Sequence, residues 1–85
     1  MLRIERISTK RRTQIWLSGE LRSEQLDQLK VEIERAGPRV ALDLEEVHLV
    51  DLEAVRFLNA CVARGFAVLH ASPYIKEWMF REREP

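Results

Sequence analysis

The chain has 85 residues, with 14 Lys plus Arg against 14 Asp plus Glu, so its formal net charge is zero. That length makes one domain, residues 1–85, the default and allows only a modest core. The charge balance excludes the basic excess of a dedicated nucleic-acid binder. A composition of 46% hydrophobic and 33% charged residues is that of a soluble globular domain, and zero net charge leaves self-association open.

The single cysteine, Cys61, excludes an intramolecular disulfide and a four-cysteine zinc site. It fits a reducing cytoplasm. The opening M-L-R-I-E-R-I has no apolar h-region, so no signal peptide is expected. The apolar runs are too short to span a bilayer, so no direct membrane insertion is expected.

In chain order, Leu2 and Ile4 alternate with Arg3 and Glu5 at strand period, and Ile7 breaks the pattern, which predicts a bulge or an early end near Arg6. Ser8 to Arg12 is a polar connection. Thr13 to Ser18 alternates again, with Ile15 and Leu17 on one side and Gln14, Trp16 and Ser18 on the other. The two strands should form a hairpin, and Gly19 should end the second. Ser23 is a good N-cap for a helix over 24–36, with Leu26, Leu29, Ile33 and Ala36 as its apolar stripe and Gly37-Pro38 as its stop.

Arg39 to Leu44 reads as a buried central strand. Glu45 to Val50 follows as a connection, with Glu45 and Glu46 in a solvated turn and His48 in a loop. Asp51 caps a helix over 52–64, with Glu53 in its first turn, where the helix dipole favours an acid. Leu52, Val55, Leu58 and Val62 are expected to face the sheet, flanked by Ala54, Phe57 and Cys61. A short strand over 66–70 comes next. Ser72 caps a last helix that has Pro73 at N1 and runs through Trp78 to about Glu82, and the final R-E-R-E-P should fray. The class is α/β: about four strands in a small mixed sheet, order β-β-α-β-α-β-α, with helices mainly on one face, since strand–helix–strand units imply parallel pairing and right-handed crossovers.

No catalytic set is visible. His48, His70 and Cys61 have no metal-motif spacing, so neither a metal nor a cofactor is expected. Asp43 should point away from Leu42 and Leu44 and, if buried, needs partners. Lys10, Arg11 and Arg12 read as a solvated hairpin tip. Trp16, and Tyr74 with Trp78 in the last helix, exceed what a one-sided core uses; they are candidates for a second interface, such as a homodimer contact.

This order, with L-S-G-E-L at Leu17 to Leu21, L-D-L-x-x-V-x-x-V-D at Leu42 to Asp51, and R-G at Arg64 and Gly65, resembles the STAS domain. The likeness covers Leu2 to about Arg81. STAS domains occur in anti-sigma factor antagonists and in the cytoplasmic tails of sulfate transporters. In antagonist members the second helix opens with D-S-S-G, and the second serine is phosphorylated by an anti-sigma kinase. Here those positions are Asp51, Leu52, Glu53 and Ala54, so Glu53 stands at the switch serine. Family G-E-L-D becomes Gly19, Glu20, Leu21 and Arg22.

The resemblance implies a non-catalytic, cytoplasmic, bacterial signalling module. It would bind an anti-sigma factor or serine-kinase-like protein through Gly19, Arg22, Ser23, Asp51, Leu52, Glu53 and Arg56. Two alternatives follow from it: a soluble subunit docking the ATPase of a lipid-handling ABC transporter, and a nucleotide or small-molecule binder. Glu53 has two readings, a good first-turn acid or a fixed charge where relatives toggle a phosphate. The paired replacements suggest that Arg22 and Glu53 form an ion pair or at least lie near each other.

Overall fold

The computed structural model describes residues 1–83. Strands β1 (Leu2–Ser8) and β2 (Thr13–Leu21) form an antiparallel hairpin. A short 3-10 turn (Ser23–Gln25) leads into helix α1 (Leu26–Ala36), then β3 (Val40–Val50), α2 (Leu52–Ala63), β4 (Ala67–Leu69) and α3 (Pro73–Arg83). The sheet order is β1-β2-β3-β4, with β3 parallel to both β2 and β4. Both crossovers step the same way across the sheet, and the right-handed rule for such connections puts α1 and α2 on one face.

The core obeys this arrangement. Leu26, Leu29 and Ile33 of α1 and Ala54, Val55, Leu58 and Cys61 of α2 bury against Ile15, Leu17, Leu42 and Leu44. Arg6 is in register with Ile15 and reaches Glu32 of α1, so it too lies on the helix-bearing side. By register, the opposite face presents Arg3, Glu5 and Ile7 from β1, Gln14, Trp16 and Ser18 from β2, Ala41 and Asp43 from β3, and Ala67 and Leu69 from β4. Trp16 is half-buried there. Tyr74 and Trp78 of α3 meet in a tilted pair, ring planes 55° apart and centroids 5.8 Å apart, with Tyr74 exposed and Trp78 packed on the core.

Several predicted boundaries move, each for a physical reason. β1 runs to Ser8, because Ile7 keeps its pairing with Gln14 while its side chain stays in solvent. β2 continues through Gly19, which takes a left-handed conformation (φ 101°) at a register shift instead of stopping the strand. A Cβ at that position would strike the Met1 carbonyl oxygen.

β3 is the largest departure: the predicted connection over 45–50 is strand. Trp16 pairs with Asp43 and Ser18 with Glu46, so Leu44 and Glu45 together oppose Leu17 in a bulge. A second irregularity leaves His48 extra between Val47 and Leu49. Each bulge shifts the two-residue alternation and so conceals the strand from a periodicity reading.

α2 buries a stripe turned relative to the expected one. Ala54 and Cys61 go inward, while Leu52 and Val62 are exposed. Its C-terminus closes with two backbone bonds, Phe66 N–H to the Cys61 carbonyl and Gly65 N–H to that of Val62, with Gly65 at φ 93°. This is a Schellman closure, and it keeps Phe66 out of β4. At the other end of β4, His70 is left-handed (φ 58°) and stops the strand. The last helix continues to Arg83; residues 84–85 of the predicted frayed tail lie outside the described residues.

Candidate functional site

Asp51 organises the end of the sheet where α2 begins. Its backbone is extended (φ −111°), and its Oδ1 accepts the Ala54 N–H at 2.9 Å, so it is the N-cap that the sequence predicts. Its Oδ2 accepts the Ser23 N–H at 2.8 Å from the 3-10 turn that opens the first helical segment. One carboxylate therefore ties both helix starts together. Partial burial pushes the Asp51 carboxyl up, but the N–H groups of Ser23 and Ala54, the Ser23 hydroxyl and the nearby Arg22 charge outweigh it and hold the carboxyl below its ordinary value.

Ser23 is not the N-cap that the sequence suggested. Its N–H is taken by Asp51, and the cap position falls on Arg22, whose N–H donates to Gln25 Oε1 at 3.0 Å. The expected Arg22–Glu53 ion pair does not form. Arg22 Nε lies 3.2 Å from Glu20 Oε1, and Glu53 Oε1 lies 3.5 Å from an Arg56 guanidinium nitrogen one helical turn on. The two helix starts are in fact coupled, but through the cap residue and not through the acid beside it. Arg56 also reaches Glu82 Oε1 at 3.5 Å, bracing α2 to α3. Leu52, Glu53, Arg22 and Ser23 are all exposed around this junction, whereas Gly19 pairs with Val47, further back along the sheet than the Leu21–Val50 pair that ends the strand.

A second cluster sits on the face of the sheet opposite α1 and α2. Asp43 is 4% exposed, pointing away from Leu42 and Leu44 as expected. Its Oδ2 accepts from Gln14 Nε2 at 2.9 Å and lies 3.1 Å from His70 Nδ1; its Oδ1 accepts the Glu45 N–H at 3.0 Å. Asp43, Glu45 and His70 are the one group of three metal-type side chains within reach of one another among the described residues. That a buried Asp43 needs partners is legible in the sequence; which residues supply them is not. Their separations along the chain match no motif, and only the bulge and the β3–β4 register bring them together.

Between α2 and α3 a groove of about 250 Å³ is lined by Asn59, Val62, Lys76, Met79, Phe80 and Arg83. Asn59 Nδ2 donates to the Met79 carbonyl at 2.9 Å. Among the described residues no helix is long and apolar enough to cross a membrane.

No protein-family profile matches the chain, and no curated protein matches it. Solved structures do. An anti-sigma-factor antagonist STAS domain from Rhodobacter sphaeroides superposes with a TM-score of 0.64 at 18% identity, covering 85% of this chain and 92% of that one. The anti-sigma factor antagonist SpoIIAA in its unphosphorylated form gives 0.70 at 17% identity, covering 100% of this chain and 84% of that one. A Shewanella loihica protein with a SpoIIAA-like fold gives 0.55 at 18% identity, covering 96% and 76%. Together with the strand order and register described above, these likenesses show that the chain has the SpoIIAA-like fold of STAS domains.

Proposed function

We propose that the protein is a non-catalytic regulatory module that binds a protein partner through the Asp51 end of the sheet. The observation that carries this reading is the junction itself. One carboxylate holds both helix starts, and an apolar side chain, Leu52, stands exposed beside Glu53 and Arg22 on that rigid base. An exposed leucine with charged neighbours on a preorganised surface suits protein recognition. Two of the solved structures that share the fold are anti-sigma factor antagonists, so the partner class is an anti-sigma factor or a related serine-kinase-like protein.

Glu53 replaces a phosphorylatable serine at the start of α2, so this contact is not switched at that position. Its bond to Arg56 within the first turn of the helix favours the helix-chemistry reading of the acid over mimicry of a phosphate, which carries about −1.5 to −2 charges.

The test is capture with the tagged chain from its own cells, followed by titration of the purified partner. An anti-sigma factor or serine-kinase-like partner is expected, with affinity falling at least about tenfold in Leu52→Asp and in Glu53→Lys, a change of roughly 1.4 kcal/mol. Capture of a transporter ATPase, or a partner whose affinity neither substitution alters, overturns the reading.

A further inference from the structure

The Asp43 cluster has a feature that a structural hydrogen-bond network does not require. Two carboxylates, Asp43 and Glu45, lie together, and neither has a Lys or Arg within ion-pair distance among the described residues; the one basic group at Asp43 is His70. A carboxylate almost fully removed from water needs a compensating positive charge or full hydrogen bonding. Gln14 and the Glu45 N–H supply two donors to Asp43. Glu45, exposed to solvent, brings a second carboxylate to the rim of the cluster.

We propose that Asp43, Glu45 and His70 form a binding site for a divalent first-row transition ion, with zinc as its representative. The ligand atoms of the three residues lie within 4.8 Å of one another. Asp43 Oδ2 and His70 Nδ1 are 3.1 Å apart. Two ligands each about 2.0–2.2 Å from zinc, at a tetrahedral angle, are separated by roughly 3.3 Å, so the ion takes the place of the hydrogen shared by these two atoms. His70 would bind through Nδ1 as the neutral tautomer that carries its one proton on Nε2, which leaves Nε2–H as the donor on the far side of the ring. An imidazole nitrogen beside two carboxylates selects a borderline ion over magnesium or calcium, which prefer all-oxygen sites.

The surrounding structure orients the ligands. Gln14 Nε2 holds the Asp43 carboxylate from the neighbouring strand. The bulge at Leu44 and Glu45 displaces Glu45 from regular alternation, and the left-handed backbone of His70 turns its ring back over β3. Bulges commonly re-aim side chains in this way. With three protein ligands, the remaining coordination positions are open to solvent. The metal would also fasten the three-residue β4 to the middle of β3, a pairing that otherwise rests on Ala41–Ala67, Leu42–Val68 and Asp43–Leu69.

The test is calorimetric titration of the tag-free, chelator-treated full chain with zinc chloride, and in parallel with magnesium chloride. Saturable binding of one zinc per chain is expected, with magnesium showing none. His70→Gln should weaken zinc at least tenfold and Glu45→Gln should weaken it measurably, while His48→Gln, which alters the chain's other histidine, leaves it unchanged. Amide exchange of residues 67–70 should slow on zinc addition in the parent and not in His70→Gln. Circular dichroism of each variant confirms that the fold is intact, and the surface glutamate and histidine changes keep the test independent of buried Asp43. Absence of saturable zinc binding, or binding that survives His70→Gln, overturns the proposal and leaves the cluster as a hydrogen-bonded latch. Neither result bears on partner binding at the Asp51 end.

Discussion

At the scale of single residues, Asp51 is where sequence and structure agree most closely and where structure adds most. An aspartate before an apolar helical stretch is legible as an N-cap, since its short side chain can satisfy an orphan N–H. The second bond, to Ser23, joins residues 28 positions apart, and no local rule anticipates it. Asp51→Ala should therefore cost more than an ordinary cap, about 1–2 kcal/mol, seen as a loss of several degrees in Tm. The pH dependence follows from the same bonds. The folded Asp51 carboxyl lies below its ordinary value of 3.8, so the unfolded chain binds the proton first as acid is added. Its stabilising contribution is present above about pH 4 and is lost as pH falls towards the folded pKa. Thermal melts between pH 2 and 6 should show a shallower acid dependence in Asp51→Asn than in the parent; equal slopes would mean that the bonds to Ser23 and Ala54 do not form. Arg22 and Glu53 give the contrary lesson. The sequence predicts that these two pair with each other, and they do not, because exposed ions take the nearest neighbour, Glu20 and Arg56 respectively, and such pairs are worth only about 0–1 kcal/mol.

At the scale of elements, helices were easier to read than strands. The α1 stripe of Leu26, Leu29 and Ile33 is buried as its spacing predicts, and the Pro73 start of α3 and the Gly65 stop of α2 hold. The strands were harder because two register irregularities on β3 break the two-residue rhythm, and because β2 passes through a glycine. Gly19 illustrates how a turn signal can serve a strand. Its φ of 101° suits glycine, and the Met1 carbonyl oxygen occupies the space of any Cβ. Gly19→Ala should cost about 2 kcal/mol through backbone strain and the clash. Gly37 has a similar φ of 90° but open surroundings, so Gly37→Ala should cost visibly less. Denaturant melts of the two variants compare them directly, and equal losses would show that the approach of β1 to Gly19 contributes nothing.

At the scale of the whole molecule, one core joins the sheet, α1, α2 and the buried side of α3, and Cys61 lies within it at 2% exposure. Burial pushes its thiol up from 9.0 to about 11, only partly offset by the Arg64 charge. In the unfolded chain the thiol ionises first as pH rises, so stability falls between about pH 9 and 11. Below that range the folded thiol is protonated and shielded, and alkylation should proceed at least about a hundredfold more slowly than for an unfolded chain, tracking opening of the core. Rapid labelling at pH 8 in native buffer would place Cys61 outside the core. The sequence by itself determined the α/β class, the order of elements, the apolar stripe of α1, the cap at Asp51 and the outward side of Asp43, because caps, stops and periodicity are local chemistry. Only the tertiary structure decided that Asp51 reaches Ser23, that Glu45 and His70 gather at Asp43, and that Leu52 is left exposed at the α2 start. Each of these depends on strand register and helix rotation, which packing of the whole core sets and which no short stretch of chain encodes.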